Sequence, residues 1–261
     1  MTERRLPAGF NTAVENDIIQ KGANGLWYSR GSAEFIIPGR YLLRTIRTSD
    51  GSGTHNLNAR TTKFRVFGQG PGGGAGGVQG DSTGAAVGAP GSSGAYFDHI
   101  FVVVGGLLTF TYDIGAGGAG GVTGAGQDGS GPTQVTYNGV TVGGGPGQGG
   151  AGHSPVTVVP EFVDMVTSTP LDVGSPDFSR SGVFGGLGII LSTTRVFSGD
   201  GGPNFFGIGA KGRLTNTGGG AAGLSGTFGG GGSGAIVGSA SAAAFDGGFG
   251  GDGILIVEEY S

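Results

Sequence analysis

Glycine recurs at every third position in several stretches of this chain, and that spacing narrows what the chain can become. Gly115, Gly118, Gly121 and Gly124 form one row, and Gly220, Gly223, Gly226, Gly229 and Gly232 form another. Shorter rows are Gly74–Gly77–Gly80, Gly88–Gly91–Gly94 and Gly144–Gly147–Gly150. A period of three is that of an extended polyproline-II helix, with about 3 residues per turn and about 3.1 Å of rise. Glycine once per turn leaves one side of such a helix bare. Bare sides let backbones approach and exchange N–H to C=O bonds, which is a scaffold solution rather than a catalytic one. An interrupted period and only 11 prolines exclude continuous collagen, which needs an unbroken repeat.

Such a chain must still meet the ordering cost of its glycines, roughly 1–2 kcal/mol per residue. Unperiodic glycine usually marks a flexible or low-complexity segment. Here the rows alternate with apolar strands. Charged residues are only 12% of the chain, there are 16 Phe, and the net charge is −4, a composition that argues against disorder. The length suits one large or two small domains. Without cysteine there are no disulfides and no thiolate metal sites. The first residues, Met1 to Phe10, are charged without an apolar core, so they do not read as a secretory signal. The stretch Ile100–Leu108 is broken by Gly105-Gly106 and falls far short of the roughly 20 residues that span a bilayer. The expectation is a chain made in the cytoplasm and not inserted in a membrane.

Charge is uneven. Residues 1–65 hold ten of the fourteen Lys/Arg and five acids, about +5, which leaves about −9 for the remainder. Such asymmetry separates an interaction segment from a body. The basic residues are dispersed and the sequence pI is near 5.3, so nucleic acid is not an expected partner.

Residues 1–58 read as an irregular N-terminal attachment or oligomerisation region, with possible strands at 33–37 and 41–48 and one weak helix candidate at Thr12–Lys21. Residues 59–261 read as a glycine-rich β domain, with a proline-bearing, glycine-poorer excursion at about 153–205. The alternation in Thr61–Phe67 predicts a half-buried strand. Ala95–Val104 and Leu107–Ile114 read as two strands joined in a hairpin by Gly105-Gly106, and Asn138-Gly139 marks a second hairpin. The apolar middle of Ile254–Tyr260 predicts a strand covered on both faces, pairing with 61–67 to close the fold. The fold class expected is all-β: a glycine-rich, β-sandwich-like scaffold with polyglycine-II-type segments.

Several of these signals occur together: a strand entering a GGGxGG-type run, DIGAGGAGG after a strand pair, TQVTYNGVTVGGGPGQGG, and the close GGDGILIVEEYS. Together they make the chain resemble the glycine-rich domain of tail-fibre and tail-tip proteins of tailed bacteriophages, over roughly residues 55–152 and 205–261. The resemblance extends to phage adhesins whose polyglycine-II helices stack into a sandwich with receptor-contacting loops at one end. It implies a virion component of the tail, often trimeric, acting in host attachment as a receptor-binding protein. The partners it implies are other tail or baseplate proteins and a bacterial surface receptor. The competing expectation is a purely architectural tail or baseplate component that never touches the host. An ice-binding polyglycine bundle is a further class, but Thr is not arrayed at fixed spacing along the glycine rows.

Candidate sites follow from composition. His55, His99 and His153 lack metal-ligand spacing, and Asp128 and Asp252 lack a calcium-loop array, so no metal is expected. The glycine runs lack the GxxxxGK[ST] pattern of a phosphate loop, and no cofactor is expected. Asp98-His99 with nearby Ser92 and Ser93 lacks a nucleophile elbow, so the chain is not expected to be an enzyme. Aromatic and basic residues of the excursion and its flank are the candidate receptor contacts: Phe178, Arg180, Phe184, Arg195, Phe197, Phe205 and Phe206. The bland alternative places those Phe in a local core or subunit interface. Trp27, Tyr28 and Arg30 are the candidate virion-attachment residues, with burial in the chain's own core as their alternative.

Overall fold

The computed structural model describes residues 40–163 and 171–261, together with the short paired strands Ile19–Lys21 and Trp27–Ser29. The described residues are all-β, with no α-helix. Two five-stranded sheets pack face to face. One runs in the order Phe178–Arg180, Tyr96–Val102, Lys63–Gln69, Ile254–Tyr260, Tyr41–Arg47. The other runs Asp172–Gly174, Val140–Gly144, Thr133–Tyr137, Thr109–Ile114, Gly51–Asn56.

Alternation selects the buried face. Phe64 and Val66 point inward with Leu255 and Val257, while Lys63 and Arg65 point outward. Phe64 is the centre of the core: it stacks on Phe101 and on Phe110 at 5.1 Å and meets Tyr137 edge-on at 5.0 Å. Each such buried aromatic contributes roughly 1.5–3 kcal/mol through burial. On the opposite face, Ile254 and Ile256 are covered by Phe67, Tyr96 and Phe206, so the last strand is buried on both sides. It pairs with Lys63–Gln69 in continuous register, as its sequence predicts.

The Asn138-Gly139 hairpin forms, both residues having positive φ (47° and 78°), as a two-residue type I′ turn requires. The Gly105-Gly106 pair behaves differently from the hairpin its sequence suggests. It makes a turn, with Leu107 N–H donating to Val104 C=O at 2.9 Å. The arms then part into different sheets. Each arm is already partnered in its own layer: Val103 N–H donates to Thr62 C=O and Leu57 N–H to Leu108 C=O, both at 2.8 Å. The turn therefore bridges the sandwich. Residues 41–56, which the sequence assigns to the N-terminal region, supply a strand to each sheet. Thr12–Lys21, the weak helix candidate, has its end in the strand Ile19–Lys21; its remainder lies outside the described residues, as does 33–37.

From one end of the sandwich the chain passes into a bundle of extended glycine segments. Segment 70–77 is its axis. Its N–H groups donate outward in turn: Gly72 to Gly251, Gly73 to Ser92, Gly74 to Gln127, Ala75 to Gly248, Gly76 to Ala89 and Gly77 to Gly124. Its carbonyls accept from Gly147 and Gly150, from Gly118 and Gly121, and from Gly232 and Ala235. Partners on each side recur every three residues, the period of a polyglycine-II helix. Six segments thus surround the axis, in the order 88–95, 143–152, 124–130, 115–121, 247–253 and 229–235. Each is antiparallel to both of its ring neighbours: Gly91 N–H donates to Gly232, Ser92 to Gln148, Gly126 to Gly150, Gln127 to Ala119, Gly250 to Gly118 and Gly251 to Gly230. Buried backbone groups must be paired, and hexagonal stacking pairs them without a sheet.

The glycine rows mark this contact. A methyl group at Gly73 would lie closer than 3.0 Å to the Gln148 carbonyl, and one at Gly76 would meet that of Ala151 as closely. The two longest rows are not single helices. Row 115–124 crosses a reversal after Gly121, and row 220–232 crosses a turn at Phe228-Gly229, both with positive φ. The excursion 153–205 is woven into the body. Its middle supplies the strands Asp172–Gly174 and Phe178–Arg180 to the sandwich. Segments 183–186 and 199–202 extend the bundle, Ser93 donating to Val183 and Gly202 to Gly91. At the end of the bundle away from the sandwich, a four-stranded sheet runs Glu161–Val163, Gly188–Ser192, Arg195–Phe197, Leu214–Thr215. It packs through Val163, Ile190 and Val196 on Ala85, Val87 and Ile236.

Candidate binding surfaces

The four-stranded sheet has one buried face and one bare face. Ile190 and Val196 are fully buried, and alternation sends their neighbours outward. The register brings Phe162 opposite Ile189, Ile189 opposite Phe197, and Phe197 opposite Leu214. The result is a cross-strand ladder of four apolar side chains turned away from the core. Phe162 is 61% exposed and Leu214 65%. Arg195, two residues before Phe197, stands on the same face and has no ion pair among the described residues. A contiguous apolar ladder is costly to leave in water, and such patches mark interaction surfaces.

A second grouping lies at the junction of sandwich and bundle. Gln69, Tyr96 and Arg180 are opposite one another on three adjacent strands. Phe205 stacks on Tyr96 with ring centres 4.5 Å apart, and Phe178 meets the same ring edge-on at 6.0 Å. Asn204 holds this loop: its Oδ1 accepts from Phe206 and Gly207 N–H at 2.8 and 2.6 Å, and its Nδ2 donates to Phe228 C=O at 2.6 Å. These elements enclose an open cavity of about 310 Å³. Burial pushes the Tyr96 phenol up to about 12, reinforced by the nearby Asp98 carboxylate. Asp98 itself is gripped by one edge of the Arg65 guanidinium, Nε and Nη2 each donating to a carboxylate oxygen, which raises the arginine above its ordinary value.

Of the residues singled out in the sequence, the fold thus gathers Phe178, Arg180, Phe205 and Phe206 at the junction, and Arg195 and Phe197 on the ladder. Phe184 is half-buried in segment 183–186. Phe206 is partly buried and helps cover Ile254 and Ile256. Trp27 and Tyr28 stand opposite Lys21 and Gln20 in a two-stranded pairing, and Arg30 lies outside the described residues. Phe162, Ile189, Leu214, Gln69 and Tyr96 carry no signal of their own in the sequence. Only strand register assembles them.

The remaining candidates are occupied structurally. Ser92 and Ser93 are buried, their hydroxyls accepting from Gln148 and Val183 N–H. Asp128 and Asp252 accept from Gly149 and Gly117 N–H at 2.8 Å. His99 and His153 lie beside Asp177 and Glu161, at 3.3 and 3.1 Å. No cluster of three metal-binding side chains occurs among the described residues. No helix among those residues is long and apolar enough to cross a membrane. No family model matches the chain, and comparison with curated proteins returns no match.

Proposed function

We propose that the protein is a tail-fibre or tail-tip component of a tailed bacteriophage that attaches the virion to a bacterial surface receptor, acting without catalysis as part of a homo-oligomer, with a trimer favoured. The observation that carries this reading is the apolar ladder Phe162–Ile189–Phe197–Leu214, presented at the end of a rigid glycine bundle away from the sandwich. Binding residues set on a stiff scaffold lose little freedom on contact. The glycine-row pattern and the closing GGDGILIVEEYS motif, which resemble those of phage tail proteins, support the reading.

The test is adsorption of the purified protein to a panel of bacteria, with competition against phage infection and the oligomeric state read by light scattering. Saturable adsorption that falls at least tenfold in a F162S/F197S variant, with an unchanged oligomer, supports attachment through the ladder. A folded oligomer that adsorbs to no strain sinks the attachment reading. The architectural reading then takes its place, favoured by Tyr41, Ile46 and Ile100, which are exposed on two strands of the same sandwich sheet. A F162S/F197S variant that becomes monomeric would instead assign the ladder to a subunit interface.

A further inference from the structure

Gln69 is 2% exposed, and its side-chain oxygen has no hydrogen-bond partner. Its amide nitrogen donates to Gly94 C=O, and that carbonyl fixes the orientation, because the oxygen cannot take the nitrogen's place against another acceptor. A buried acceptor left unpaired costs about 1–3 kcal/mol, and buried polar groups in folded proteins are almost always satisfied. Gln69 is a wall residue of the junction cavity, but this oxygen is itself sealed from solvent, so the groups open to a ligand lie elsewhere on the wall.

Arg180 faces the cavity from the strand beside Tyr96 and makes no ion pair or hydrogen bond among the described residues. The nearest acid on that face, Asp98, is committed to Arg65 and to the Tyr96 hydroxyl. Phe205 lends one ring face to Tyr96 and is 58% exposed on the remainder. Ser181, also exposed, adds a hydroxyl at the rim. The polar groups of Asn204, by contrast, are used within the protein.

We infer that this cavity is a binding site for a single acidic sugar residue. The three available wall groups match its three kinds of surface. An exposed phenyl face accepts the C–H face of a pyranose. The exposed Ser181 hydroxyl at the rim exchanges a hydrogen bond with a ring hydroxyl. A free guanidinium pairs with a carboxylate or a phosphate, for which its planar fork is suited. A volume of about 310 Å³ is at the small end for ligand pockets, which run from about 300 to 1,000 Å³, and suits one ring rather than an extended chain. The site stands apart from the ladder and does not depend on the attachment reading.

The experiment is calorimetric titration of the full chain with glucuronate, glucose 6-phosphate and glucose. Saturable binding of one or both acidic sugars, at least tenfold tighter than glucose, is expected. Arg180→Gln should lower acidic-sugar affinity at least tenfold while leaving any weak glucose binding unchanged. Phe205→Ala should weaken all three. The carboxylate and phosphate arms identify which anion the guanidinium prefers. Both variants alter exposed side chains, and a wild-type-like thermal transition confirms that they fold. Absence of saturable binding by all three sugars at millimolar concentration overturns the inference. So does acidic-sugar binding that Arg180→Gln leaves intact.

Discussion

His55 donates from Nε2 to Oε1 of Glu259 at 3.1 Å, joining the two sheets of the sandwich through side chains that are both buried. The tautomer follows from the other ring nitrogen. Nδ1 faces Arg47 Nη2 at 3.3 Å, and arginine only donates, so Nδ1 accepts and Nε2 carries the proton. The second carboxylate oxygen accepts from Asn58 N–H at 2.7 Å and Thr61 Oγ at 2.6 Å. A Glu259→Gln variant offers these donors only one oxygen and turns an NH2 group toward the rest. At least one buried donor then loses its acceptor, and a cost of about 1–3 kcal/mol is expected. Glu258→Gln, one residue away on the outer face, keeps an oxygen for the Tyr260 hydroxyl and loses only its charge against Arg44 and Arg65 at 3.8 and 3.5 Å, so it should cost less than Glu259→Gln. Urea unfolding midpoints of the two variants provide the comparison; equal losses would remove the special role given to the buried carboxylate.

Gly73 and Gly124 separate two uses of glycine. Gly73 lies in the axis of the bundle, where an added methyl would meet the Gln148 backbone. Backbone on all sides cannot move aside as a flexible side chain would. Gly73→Ala is expected to destabilise by about 3 kcal/mol or more, the upper range for overpacking. Gly124 has nothing within 4 Å of the same position and no positive φ. Gly124→Ala should be neutral or stabilising by about 0.4–1 kcal/mol, through the reduced freedom of the unfolded chain. Thermal unfolding of both proteins decides whether close approach or mere flexibility accounts for the axial glycine.

The raised phenol of Tyr96 gives stability a defined dependence on alkaline pH. Its neutral form is favoured in the fold by burial and by Asp98, and it ionises at about 12, against an ordinary value of 10.0. Below pH 10 neither state has lost the proton, so this group leaves stability unchanged. Between 10 and 12 the unfolded chain releases its proton first, and stability falls as pH rises. Tyr260, also raised by burial and its bond to Glu258, acts in the same direction. The drop in urea midpoint from pH 9 to pH 11 should therefore be smaller in Tyr96→Phe, with a residual slope from Tyr260. An identical drop in both proteins would refute the linkage to Tyr96.

What the sequence discloses depends on how local the governing contact is. The strand Lys63–Gln69 and the Asn138-Gly139 hairpin are legible because alternation and turn chemistry act over a few residues. The packing of the bundle is legible in part: Gly88, Gly91 and Gly94 all donate to the neighbouring ring segment 229–235, and that common partner imposes the period of three. The same period misleads at Phe228-Gly229, since a tight turn in a glycine-rich run leaves the spacing intact. Gly105-Gly106 looks like a hairpin because nothing local reports that Val103 and Leu108 are claimed by different sheets. The candidate sites are less legible still. Arg180 meets Tyr96, and Phe197 meets Leu214, through registers set by distant packing, so composition points to the region without revealing the two groupings.

Asn204 is expected to control the junction locally rather than globally. Its four hydrogen bonds tie residues 206 and 207 to the turn at Thr227 and Phe228, but the two to the turn are exposed and the two to the loop only partly buried. Asn204→Ala should therefore cost less than about 1 kcal/mol in global stability, as surface changes usually do. The loop itself loses the ties that position Phe205 on Tyr96 and Phe206 over Ile256. Local opening has its own free energy, separate from global unfolding. Amide hydrogen exchange at Phe206 and Gly207 should accelerate at least tenfold in the variant, while exchange in the strand Lys63–Gln69 stays as in the parent. Unchanged protection of both amides would show that aromatic packing alone holds the loop, and that Asn204 is dispensable to the cavity.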